Sequence, residues 1–183
     1  MSWRRRSILN ESTVKQTLDM KRGREVEIRR AELSDIRGLV DLWVEFMDFH
    51  SSLDPDFVRS KGASARWTDY ITGKLDDDTY RILVAHDGDT IAGYVVAIVQ
   101  EYPPIRTIEK FGFVQEIAVA DRFRRQGIAR RLFEAAEEWL LSTGVPHIEV
   151  KIDVANEASQ RLFRGEGFIP HTETLIKKFG NDA

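Results

Sequence analysis

Cysteine is absent from all 183 residues of this chain. That removes disulfides, thiolate metal sites and any thioester formed on the protein itself, because each needs a sulfur ligand or nucleophile. A small secreted scaffold held by disulfides is excluded with them. Long apolar runs are missing too: the longest, residues 91–99, is far short of the roughly 20 residues that cross a bilayer. Three arginines follow Met1-Ser2-Trp3, but no apolar stretch comes after them, so a secretory signal is not expected. Neither sign of charge dominates. The net charge of -3 argues against a protein that coats nucleic acid with uniform positive charge. The histidines, at 50, 86, 147 and 171, lack metal-ligand spacing, and no metal is expected. What remains is a soluble, cytoplasmic globular protein. At this length one domain is expected, burying roughly two-thirds of its unfolded surface.

Regular patterning begins at Val26, so residues 1–25 read as an N-terminal extension and 26–183 as the domain. Within the extension Ile8, Leu9, Val14 and Leu18 suit a short helix. Residues 26–29 alternate like an edge strand. Ser34 is the expected N-cap of a helix carrying Ile36, Leu39, Val40, Trp43, Met47 and His50, which Asp54-Pro55 breaks. A second helix is expected over residues 56–72. Residues 80–85 and 91–100 read as a hairpin around Asp87-Gly88-Asp89, with a further strand over 113–119. Residues 127–141 form a helix, 148–154 a strand, and Asn156 caps a helix ending near Gly165. One or two final strands are expected over 168–179. The order βααβββαβαβ describes an α/β sandwich, antiparallel first and with a β-α-β crossover later.

The chemistry concentrates at one turn. Ile117-Ala118-Val119 ends a strand, a basic turn follows, and Gly127 opens a helix. The first amides of a helix have no intrahelical partners and the macrodipole is positive there, so such a turn suits a phosphate group. Gly127 lets the backbone approach a ligand, and five arginines between Arg122 and Arg131 add positive charge. The dinucleotide fingerprint and the Walker loop are both absent. On charge alone, a solvated basic surface fits as well.

Arg124-Arg125-Gln126-Gly127-Ile128-Ala129 resembles the Q/R-x-x-G-x-G/A pyrophosphate loop of the GNAT superfamily of N-acetyltransferases, and Glu116-Ile117-Ala118-Val119 resembles the strand before it. A second block, residues 156–168, resembles that family's N-x-x-A-x-x-L-Y-x-x-x-G-F segment. The resemblance covers residues 26–179. It implies a mixed, mostly antiparallel sheet with helices on both faces and a splay between the fourth and fifth strands. It also implies acetyl-CoA as co-substrate. Main-chain groups of Ile117, Ala118 and Val119 would hold the pantetheine arm. The amides of Arg124, Arg125, Gln126, Gly127, Ile128 and Ala129, with Arg130, would hold the pyrophosphate. Asn156, Ser159 and Phe163 would flank the arm, and a backbone amide near Val119 would donate to the oxyanion.

Without cysteine, the amine is expected to attack directly in a ternary complex. Glu116 is the candidate base, since strand parity puts it on the face opposite Ile117 and Val119, where partial burial would raise its pKa. Glu101, Tyr102 and Asp153 are weaker candidates. The departure from the family is Phe163, where many relatives carry a tyrosine that protonates the leaving thiol. Transfer is then expected to proceed through water or Tyr102. Asp41, Glu45, Asp48, Asp54 and Asp56 would suit a cationic acceptor or simply a solvated face, and Trp43, Phe46 and Phe49 read as core. A small primary amine is the expected acceptor. A protein lysine or N-terminus, and a non-catalytic acyl-CoA-binding module, stay open. Nucleic acid is not expected, because no aromatic platform interleaves the arginines. A homodimer is expected, dimers being common among proteins at large and in the family.

Overall fold

In a computed structural model describing residues 26–179, one five-stranded sheet runs β1-β2-β3-β4-β5. The strands are β1 (Glu27–Arg30), β2 (Tyr80–Asp87), β3 (Thr90–Glu101), β4 (Lys110–Val119) and β5 (Ile148–Val150). The helices are α1 (Ile36–Leu53), α2 (Ala63–Thr72), α3 (Ile128–Ser142) and α4 (Glu157–Gly165). Neighbours from β1 to β4 pair antiparallel, whereas β4 and β5 pair parallel across the α3 crossover. The N-terminal extension, with its short helix, and residues 180–183 lie outside the described residues.

The unbroken apolar run at 91–99 is explained by burial on both faces. Tyr94, Val96 and Ile98 face a core shared with Leu39, Trp43, Trp67 and Ile71 of α1 and α2. Val95 and Ala97 face a second core with Leu132, Phe133 and Leu140 of α3 and Phe163 of α4. The sheet thus carries one helix pair on each face, as expected.

Three local expectations are corrected. Ser34 does not cap α1; it sits in a 3-10 turn, Leu33–Asp35, where the buried Asp35 carboxylate accepts from the Glu32 amide at 2.8 Å and pairs with Arg29 at 2.7 Å. The second helix starts at Ala63 rather than 56, because Pro55 opens a separate 3-10 turn and Gly62 turns the chain at φ 74°. No strand forms over residues 168–179. β5 has only three ladder residues to pair with, and Lys178 is drawn instead to Asp54 and Asp56 beyond the end of α1.

Candidate active site

β4 and β5 pair only at Gly112–Ile148, Phe113–Glu149 and Val114–Val150. From Gln115 onward β4 stays bonded to β3, while among the described residues no strand lies beside its other edge. The expected β5 of residues 148–154 therefore ends at Val150, since the chain leaves the ladder as the two strands part. Into that gap opens a narrow cleft of about 50 Å³, walled by β4, by residues 150–153, by α1 and by α4. An unpaired strand edge of this kind presents free amides and carbonyls to an extended ligand.

A β-bulge sets what faces the cleft. Val96 pairs with Glu116 and Ala97 with Val114, so Gln115 is the extra residue. Bulges re-aim side chains. Here the bulge leaves Val114, Ile117 and Val119 in the α3/α4 core and turns Glu116 toward α2. The parity expected for Glu116 holds, by a route the sequence does not display. Its carboxylate accepts from the Tyr94 hydroxyl at 2.8 Å and from the Trp67 indole N–H at 3.4 Å. Tyr94 is fully buried, and Trp67 is fixed by stacking on Trp43 at 5.1 Å between centroids. Burial raises the Glu116 carboxyl above the ordinary range, against the opposing pull of the Tyr94 and Trp67 hydrogen bonds. Burial, and then the nearby Glu116 charge, push the Tyr94 hydroxyl well up, so it stays a donor.

The basic turn has the shape of an anion cradle. Arg125, at φ 60°, and Gly127, at φ 77°, both take left-handed conformations. Alternation of this kind turns successive amides toward one point, and a non-glycine residue held there stores strain of about 1 kcal/mol or more. A Cβ on Gly127 would meet nothing within 4 Å, so its surroundings are open for a ligand and the glycine is required by its φ. These features fit a pyrophosphate. The arginine side chains are less free than their number suggests. Arg124 bonds the Val119 carbonyl at 3.2 Å and Asp121 at 2.6 Å, and Arg130 bridges Glu134 at 3.0 Å and Glu166 at 3.1 Å. Ile128 is buried in the core, which leaves only its main chain for a ligand. Ala129 follows it in the first turn of α3. Across the cleft Asn156 caps α4 by accepting from the Ser159 amide at 3.1 Å. Phe163 is buried edge-on between Phe133 at 5.5 Å and Phe168 at 5.2 Å.

Of the weaker candidates, Asp153 lines the cleft and Glu101 and Tyr102 do not. Glu101 pairs with Lys110, at the opposite end of β4 from Val119. Tyr102 is held there by Glu149 and His147, under Arg106, so the suggested acid role of Tyr102 loses its geometry. Asp41, Glu45 and Asp48 line a separate open groove of about 860 Å³ with Asp35, Asp89 and Asp121. Asp48 is already paired with Arg59 at 2.6 Å. Phe46, expected in the core, and His50, expected on the helix and without metal-ligand spacing, both reach the cleft. Helical spacing placed each on α1 but gave no sign of which element it would meet.

The profile of the Acetyltransferase (GNAT) family matches residues 42–168. The chain belongs to this family. It is 35% identical over 90 residues to an aminoglycoside N(6')-acetyltransferase type 1 of Serratia marcescens, covering 49% of this chain and 61% of that one. It is 34% identical over 96 residues to an L-2,4-diaminobutyric acid acetyltransferase of Marinococcus halophilus, covering 52% and 53%. The chain thus spans little more than half the length of these curated relatives. The structure of AAC(6')-Iy in complex with a CoA-containing bisubstrate analogue superposes with a TM-score of 0.64 at 18% identity, covering 85% of this chain and 98% of that one. At that identity the likeness establishes the GNAT fold alone.

Proposed function

We propose that the protein transfers an acetyl group from acetyl-CoA to a primary amine of a small molecule, by direct attack in a ternary complex. The observation that carries this reading is the unpaired β4 edge beyond Val114, with Glu116 turned to its far face beside the cleft. The pantetheine arm lies along Ile117, Ala118 and Val119 as an added strand. Asn156, Ser159 and Phe163 form its other wall. The pyrophosphate takes the amides of residues 124–129. Arg130 joins it only by exchanging Glu134 and Glu166 for phosphate oxygens. When bound, the thioester supplies an activated acyl carbon. Glu116, held by Tyr94 and Trp67, removes a proton from the incoming ammonium, a role for which a raised pKa is suited. An amide near Val119 donates to the oxygen as it gains charge.

The relatives named above, an aminoglycoside acetyltransferase and a diaminobutyrate acetyltransferase, both bear names of small polyamino acceptors, which favours that class here. The test is CoA release from acetyl-CoA against a panel of 2,4-diaminobutyrate, spermidine, a deoxystreptamine aminoglycoside and lysine-containing peptides. Turnover with a small amine upholds the reading. Turnover with peptides alone moves it to a protein acceptor, and tight CoA binding without turnover moves it to a binding module.

A further inference from the structure

His50 is a titratable side chain of the cleft that the family motifs leave without a task. It stands in the last turns of α1, its ring 4.1 Å from that of Phe46 and 5.2 Å from that of Phe57. Its Nδ1 lies 2.9 Å from the Phe46 carbonyl oxygen. A carbonyl only accepts, so Nδ1 carries the hydrogen and the neutral ring keeps a bare lone pair at Nε2. Protonation at Nε2 leaves the Nδ1 bond intact, so the ring holds one orientation in both charge states. Phe163 lines the same cleft of about 50 Å³. His50 on the α1 wall and Phe163 on the α4 wall thus border one narrow space. The phenylalanine has no proton to give.

We infer that His50 is a catalytic residue that carries a proton from the attacking amine to the leaving sulfur, in place of the acid missing at Phe163. The inference rests on the acetyl transfer proposed above. After Glu116 has taken the first proton of the ammonium, the nitrogen bonds to the acetyl carbon and passes its next proton to Nε2. The carbon–sulfur bond then breaks, the sulfur keeps the electron pair, and Nε2 returns that proton to it. The products are the amide and the CoA thiol, with His50 neutral again. Nitrogen and sulfur are bonded to the same carbon, so one ring nitrogen serves both without moving. The other charged groups lining this cleft are Glu116, Lys151 and Asp153, and Asp54, Asp56 and Lys178 lie past the end of α1.

His50→Phe keeps the aromatic packing and removes both nitrogens. With the best small amine of the panel, it is expected to lower kcat by about 10²–10⁴ with KM for acetyl-CoA little changed. Adding Phe163→Tyr to that variant is expected to restore at least tenfold. Long-range ¹H–¹⁵N spectra of the free protein are expected to show His50 protonated at Nδ1 when neutral. Where His50→Phe folds poorly by thermal melting, His50→Gln takes its place in the same series. A kcat within threefold of wild type, a rise in KM alone, no rescue by Phe163→Tyr, or an Nε2–H tautomer would each overturn the inference. A wild type that transfers no acetyl group would instead sink the reading it rests on.

Discussion

The two faces of β4 at the splay are built from different materials. On the α3/α4 face, Ile117 and Val119 join Phe133, Phe163 and Phe168 in an aromatic cluster without a single titratable group among them. On the α1/α2 face, Glu116 is held by Tyr94 and Trp67. One residue of bulge separates these environments. A carboxylate is costly to bury unless it is paired, and the sheet confines that cost to the face where chemistry requires it. The apolar face supplies stability in return, so each face should fail in its own way when altered.

Glu116→Gln should separate them most sharply. It keeps the shape and one acceptor but removes the base, and kcat is expected to fall about 10²–10⁴ in the CoA-release assay. Its melting temperature at neutral pH should hold or rise, because an ionised carboxylate no longer sits in a desolvating site. A variant that loses activity only through unfolding would erase the contrast. Phe163→Ala tests the other face. Removing a ring buried against two others should cost about 3–5 kcal/mol in urea unfolding, and CoA affinity should fall as well, because the ring also walls the arm's cleft. Gly127→Ala, in the basic turn before α3, forces a side chain into a left-handed conformation at about 1–2 kcal/mol. A roughly tenfold loss of CoA affinity by calorimetry is expected, with kcat at saturation little changed. Unaltered affinity would show that the cradle does not use this conformation.

How far the sequence made this legible follows the same division. Asn156, Gly127 and the alternation at 117–119 act through neighbours a few residues away, and local chemistry was enough to place them. The final strands expected over 168–179 do not form, because a strand-like segment says nothing of the partner it would need. β5 offers three residues of ladder, and Lys178 finds Asp54 and Asp56 instead. The bulge at Gln115 has no local signature, since it arises from the match between β3 and β4. Tyr102 and His50 were misplaced or passed over for the same reason. Each sits where a long-range packing contact puts it: Tyr102 against Glu149, His50 at the cleft.

The smallest expected effect comes from Tyr94→Phe, which changes the balance at Glu116 without touching the reacting atoms. Burial raises the Glu116 carboxyl and the Tyr94 hydroxyl opposes that rise. The folded state thus holds a proton at pH values where the unfolded chain has released it. The stability this group contributes is full below its unfolded value and is lost as pH climbs toward the folded one. Loss of the hydroxyl removes an opposing influence, so the folded value moves further up and the window widens on its alkaline side. The activity limb that requires ionised Glu116 must move the same way, with a loss of roughly tenfold or less near neutral pH. Paired profiles of kcat/KM and of urea stability from pH 4 to 9 measure both. If the limb moves toward acid, or the two profiles shift in opposite directions, Glu116 is not the group being titrated.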